Sequence, residues 1–222
     1  MDWDPWAPTY RAILDDFGWD EAADRAASEA LIDRLPRHSA WRLVGTELKH
    51  RPRVVVVGCG PGLDTLQAAD LPQGVVVAAD GATDRLRELG VVPRVVVTDL
   101  DGPREGLQWA ADQGATMVVH AHGDNVERLP MVDDLGPFVV GTCQHEPMEP
   151  LRNHGGFTDG DRAVLMAEHY QARSIHVACF DTRAPGSIHS GDTDPDLKAR
   201  KLDWCRRILD DAAKRVPITG AW

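Results

Sequence analysis

From Arg53 onward, short apolar runs recur along the chain, at 54–57, 75–79, 95–97, 116–120, 138–141 and 174–179. Most are rich in valine and uninterrupted by polar residues. A strand with one wet face alternates apolar and polar side chains, whereas an uninterrupted run is buried on both faces. Between the runs lie segments with helical spacing, at 83–89, 106–113 and 159–170. Strands alternating with helices predict an α/β fold with a doubly wound, mainly parallel sheet flanked by helices. Residues 1–50 differ. The 20–35 stretch places Ala22, Ala23, Ala26, Ala27, Ala30, Leu31 and Leu35 at helix period, with Pro36 as its stop. The pattern predicts an N-terminal helical appendage over 1–50, with no cluster of reactive side chains, and an α/β domain over 51–222. Neither an internal repeat nor a low-complexity segment stands out.

In such a sheet a ligand sits beyond the carboxyl ends of the strands. The run ends read Gly58-Cys59-Gly60-Pro61-Gly62, Asp80-Gly81-Ala82, Thr98-Asp99-Leu100-Asp101-Gly102, His120-Ala121-His122-Gly123-Asp124-Asn125 and Gly141-Thr142-Cys143-Gln144-His145. Gly58, Gly60 and Gly62 would let backbone approach a phosphate or an adenosine at a helix start. The same loop fits an S-adenosylmethionine site, or a plain tight turn. Without G-K-[ST] it is no P-loop. Asp99 and Asp101 share one strand tip, where paired carboxylates repel unless a cation joins them; a D-G turn is the plain alternative. Asp80 would either cap a helix, hold ribose or join those two acids. The segment 155–163 gathers Thr158, Asp159, Asp161 and Arg162, which suits metal and phosphate together and also a helix cap. His120 and His122 lack a third soft ligand for zinc. They are read as hydrogen-bonding groups, a general base or structural histidines. Gln144, His145, Asp181 and His189 are weaker candidates.

The formal net charge of −11 argues against nucleic acid and anionic membrane as partners. Lysine occurs only at Lys49, Lys198, Lys201 and Lys214, while arginine and aspartate abound. That balance marks a salt-adapted surface or a high-GC genome. Cys59, Cys143, Cys179 and Cys205 form no C-x-x-C pair and read as free thiols in a reducing cytoplasm. No run has transmembrane length, and the acidic, Trp-rich N-terminus is unlike a signal peptide.

Together, GCGPGLD, DGAT, VPRVVVTDLDG, HAHGDN and GFTDGDRA resemble the MptE-like family of archaeal 6-hydroxymethyl-7,8-dihydropterin pyrophosphokinases, over about Arg53 to Asp181. The resemblance reaches distantly to thiamin pyrophosphokinases, from which Thr98 and Gly102 depart. It implies transfer of the β,γ-diphosphate of ATP to a reduced pterin, with release of AMP, in folate or methanopterin synthesis. It further implies Mg²⁺ on Asp80, Asp99, Asp101 and Asp159, with Asp99, Asp101 and His122 catalytic. The nucleotide and pterin would meet Gly58, Gly60, Gly62, Asp80, Gly81, Thr98, His120, Asn125, Thr158 and Arg162. A homodimer is expected by the same resemblance. An S-adenosylmethionine-dependent methyltransferase and a non-catalytic nucleotide-binding module are the competing readings.

Overall fold

The computed structural model describes residues 3–184, 187, 189 and 194–222. Its sheet has seven strands: β1 (Val54–Val57), β2 (Val75–Ala79), β3 (Val95–Thr98), β4 (Thr116–His120), β5 (Val139–Thr142), β6 (Ile175–Ala178) and β7 (Ile218–Thr219). Their spatial order is β5-β4-β3-β2-β1-β6-β7, and every pairing is parallel. Parallel neighbours need crossover connections over the sheet faces. The α-helices are α1 (Trp3–Phe17), α2 (Glu21–Ile32), α3 (Trp41–Leu48), α4 (Ala82–Glu88), α5 (Arg104–Asp112), α6 (Asp159–His169) and α7 (Pro195–Ala212).

The valine runs feed two cores at once. Val54 and Val56 point into one layer with α1, α3, α6 and α7, while Val55 and Val57 point into the other with α2, α4 and α5. All four are fully buried, each worth about 1.5–3 kcal/mol against exposure. The N-terminal helices belong to these same cores. Trp6, Tyr10 and Ile13 of α1 and Trp41, Val44 and Leu48 of α3 enter one; Ala27 and Leu31 of α2 enter the other. The helix expected to run to Pro36 stops at Ile32. Tighter turns follow, with Arg34 N donating to Leu31 O at 3.0 Å and Leu35 N to Ile32 O at 3.2 Å.

The chain lays β1 to β5 to one side and then returns to set β6 on the other side of β1. That reversal opens a crevice at the strand carboxyl ends. Its floor is partly zipped: Gly60 N donates to Cys179 O at 2.8 Å, and Ser187 N to Cys59 O at 2.9 Å. Among the described residues no helix is long and apolar enough to cross a membrane.

Candidate active site

One cleft opens over the carboxyl ends of β1 to β4 and is closed from above by the first residues of α6 and one face of α7. Asp80 follows β2, Asp99 follows β3 and Asp159 opens α6. Each offers one oxygen, and these oxygens all lie within 4.8 Å of one another. The local structure explains how three acids come so close. Thr158 is the N-cap of α6, and it forms a capping box with Asp161. Asp161 Oδ1 accepts from Phe157 N at 2.5 Å, and its Oδ2 accepts from Thr158 N at 3.1 Å. With the cap supplied by Thr158 and Asp161, Asp159 is released from capping and faces the cleft.

The tips of β2 and β3 are equally constrained. Asp80 and Leu100 sit at positive φ, 40° and 69°, a strained region for residues other than glycine. The Thr98 hydroxyl donates to Asp80 Oδ1 and accepts from Leu100 N at 2.8 Å. Asp99 Oδ2 meets His122 Nε2 at 3.1 Å. A Cβ on Gly102 would collide with the Asp80 carboxylate and approach Gly81 N to 2.9 Å, so the D-L-D-G turn takes glycine for lack of space.

The electrostatics follow from this crowding. Burial, then the Asp99 and Asp101 charges, push Asp80 well above the usual carboxylate range. Burial, then Asp99, Asp80 and Asp101, do the same to Asp159. Burial also works to raise Asp99, but the His122 hydrogen bond and charge bring it below its ordinary value. Mutual repulsion of this kind is relieved by a cation. The donor set is all oxygen, the preference of Mg²⁺. At about 2.1 Å from an octahedral Mg²⁺, cis oxygens stand about 3 Å apart and trans oxygens about 4.2 Å, so three oxygens within 4.8 Å of one another are near enough to converge on one ion. The residues fit a divalent cation.

The residues expected in the site divide between the cleft lining and the supports behind it. Asp101 lines the cleft but lies outside the three-carboxylate group. It is exposed at the mouth, and desolvation and the Asp99 charge raise its carboxyl. Gly58, Gly60, Gly81, His120, His122 and Thr158 line the cleft, whereas Gly62, Thr98, Asn125 and Arg162 do not. Thr98 is the strut beneath Asp80. Asn125 is a clamp, its Nδ2 donating to Asp99 O at 2.9 Å and His120 O at 2.7 Å. Arg162 is 2 % exposed and points to Gly155 O at 3.4 Å and Phe157 O at 3.5 Å, supporting the loop before α6. The glycine loop also departs from expectation. It leads into a five-residue 3₁₀ turn, Pro61–Thr65, not a helix with a strong positive end. Gly60 is required because a Cβ there would lie 2.6 Å from Cys179 O.

Of the weaker candidates, Gln144 and Asp181 line the cleft. His145 is held by Ser28 Oγ at 2.8 Å, and His189 by Asp84 Oδ2 at 3.2 Å. Sequence reasoning missed Trp19, Phe157, Phe180, Lys198 and Lys201, all of which line the cleft. Trp19 lies between α1 and α2 and stacks on Phe17 at 4.6 Å, so the N-terminal segment does contribute to the site. Burial and the Asp80 charge push the Cys59 thiol up to about 12, and burial pushes Cys179 up to about 11, which disfavours their thiolate forms.

Sheet and site together define an α/β protein with an acidic, cation-suited cleft above its strand tips. A family model, 6-hydroxymethylpterin diphosphokinase MptE-like, matches residues 31–185, and the chain belongs to that family. Three archaeal relatives bear the name 6-hydroxymethyl-7,8-dihydropterin pyrophosphokinase. The Pyrococcus furiosus protein is 45% identical over 219 residues, covering 95% of this chain and 94% of its own. The Methanothermobacter thermautotrophicus protein is 38% identical over 217 residues, 92% of each chain. The Methanocaldococcus jannaschii protein is 29% identical over 243 residues, 98% of each.

Proposed function

We propose that this chain transfers the β,γ-diphosphate of ATP to 6-hydroxymethyl-7,8-dihydropterin, releasing AMP, as a step toward a folate-type or methanopterin-type cofactor. The observation that carries the reading is the Asp80, Asp99 and Asp159 triangle, with oxygens within 4.8 Å of one another. The names of the three relatives supply the substrate. A methyltransferase has no use for that triangle.

Asp80, Asp99 and Asp159 would hold Mg²⁺, which when bound would supply positive charge against the phosphate chain. The hydroxymethyl oxygen attacks the β-phosphorus, and the bond from that phosphorus to the α,β-bridging oxygen breaks, its electron pair leaving with AMP. The hydroxyl proton passes to a phosphate oxygen or to water as the new bond forms, while His122, held at Nε2 by the Asp99 carboxylate at 3.1 Å and at Nδ1 by Asp124 N at 3.3 Å, lines the cleft and orients Asp99. Trp19 and Phe157 give the cleft an aromatic wall for a flat heterocycle. Asp101, at the mouth of the cleft, lies outside the triangle, and its charge raises Asp80.

The test is product analysis with ATP, Mg²⁺ and the reduced pterin. AMP and pterin diphosphate should appear in equal amounts and require the divalent ion. ADP in place of AMP, or no nucleotide consumption, contradicts the reading.

A further inference from the structure

We propose that Lys198 and Lys201 grip the β- and γ-phosphates of the nucleotide, the portion that is transferred. The proposal deepens the reading above and rests on its nucleotide. Lysine is rare in this chain, four residues among 24 Lys and Arg. Two of those four line the cleft. Along α7, positions 198, 201, 202 and 205 face it together, a spacing of i, i+3, i+4 and i+7 that marks a single helix face.

That face is held in place. Arg200 stacks over the Phe17 ring at 4.5 Å and lies 3.3 Å from Asp16 Oδ1. Trp204 Nε1 donates to Asp16 Oδ2 at 2.8 Å. Arg206 and Arg207 both reach Asp203. The two lysines are half-buried and line the cleft. They stand over different parts of it. Lys201 lies 5.5 Å from the Trp19 ring centre, and its charge helps lower Asp99. The Lys198 charge acts on Cys59, in the loop after β1.

The charge balance of the cleft demands them. Asp80, Asp99, Asp101, Asp159 and Asp181 line it, and among its described lining residues Lys198 and Lys201 are the only Lys or Arg. A triphosphate carries about four negative charges at neutral pH, more than one divalent ion offsets, and phosphate is well held by the compact, multi-donor lysine ammonium. The β and γ groups, which bear most of that charge, are those the lysines would meet.

The experiment measures calorimetric affinity for Mg²⁺ with α,β-methylene-ATP and, separately, for AMP, in the wild type, Lys198→Met, Lys201→Met and the corresponding arginine variants. Either methionine variant should weaken methylene-ATP by about tenfold or more, with AMP affinity within about twofold of wild type and arginine restoring most of the loss. Methylene-ATP affinity unchanged in both methionine variants overturns the proposal. A parallel loss of AMP and methylene-ATP also overturns it, since that marks a general structural role. Failure of the wild type to bind either nucleotide strikes the nucleotide reading itself, and this proposal with it.

Discussion

The amide of Asn125 donates to the main-chain carbonyl of Asp99 across the gap between β3 and β4, at 2.9 Å. The same nitrogen donates to His120 O at 2.7 Å, and the Asn125 Oδ1 accepts from His122 N at 3.1 Å. One fully buried side chain thereby fixes the acid on one strand tip relative to the imidazole on the next. Asn125→Ala leaves two carbonyls and an N–H short of partners, at a cost of about 2–4 kcal/mol. Chemical denaturation should show that loss. A folded variant with wild-type stability and turnover would remove Asn125 from this role.

Gly102→Ala tests the crowding at Asp80. Its methyl group must displace the Asp80 carboxylate or the Gly81 backbone. Displacement by about an ångström in a positioned site costs on the order of a hundredfold in rate. Steady-state kinetics should give a kcat down by that order with the circular dichroism spectrum intact. Undiminished turnover would show that Asp80 has room to spare.

Asp99 and Asp101 are two residues apart and are expected to behave differently. Asp99 shares the oxygen triangle and holds His122, while Asp101 does neither. Asp99→Asn should lower kcat by about a thousandfold, roughly 4 kcal/mol of barrier, and weaken Mg²⁺ binding. Asp101→Asn should cost about tenfold, with Mg²⁺ affinity little changed. Equal losses in the two variants would contradict the distinction.

How much of this was legible in the sequence differs by element. The uninterrupted valine runs gave six of the strands, because a run buried on both faces has no other stable home. The two residues of β7, Ile218–Thr219, carry no pattern long enough to read. The acids at the strand tips were visible because the sheet topology, once inferred, aims every carboxyl end at one region. Trp19 was invisible. It joins the site through packing on Phe157, centroids 5.9 Å apart and distant in the chain, and local pattern says nothing of such contacts. Thr98, Asn125 and Arg162 stood out by type and position, yet an amide, a hydroxyl or a guanidinium serves a ligand and a backbone carbonyl equally well. Only the fold shows which partner is near. The glycines of the first loop misled for a related reason: glycine admits close approach of any atom, and here the atom is the carbonyl of Cys179.

His154 predicts an acid sensitivity separate from catalysis. It is buried, and neither ring nitrogen has a hydrogen-bond partner. It packs against Trp41, His169 and Tyr170. Burial, then the neighbouring His169 and Arg152 among other charges, hold it well below its usual pKa. The unfolded chain therefore takes up a proton near pH 6.5 that the folded chain refuses. Stability should be unaffected above that pH and fall below it, by up to about 1.4 kcal/mol per pH unit for this group. In His154→Phe, denaturation curves between about pH 6.5 and 5 should lose that share of the slope. An unchanged slope would assign the acid sensitivity to other groups.

The most direct measurement is a crystal soaked with Mn²⁺ and α,β-methylene-ATP, with anomalous data collected at the manganese edge. The account predicts a manganese peak bonded to carboxylate oxygens of Asp80, Asp99 and Asp159 and to phosphate oxygens of the analogue. A metal held by the phosphates alone, or by acids outside that triangle, would contradict it.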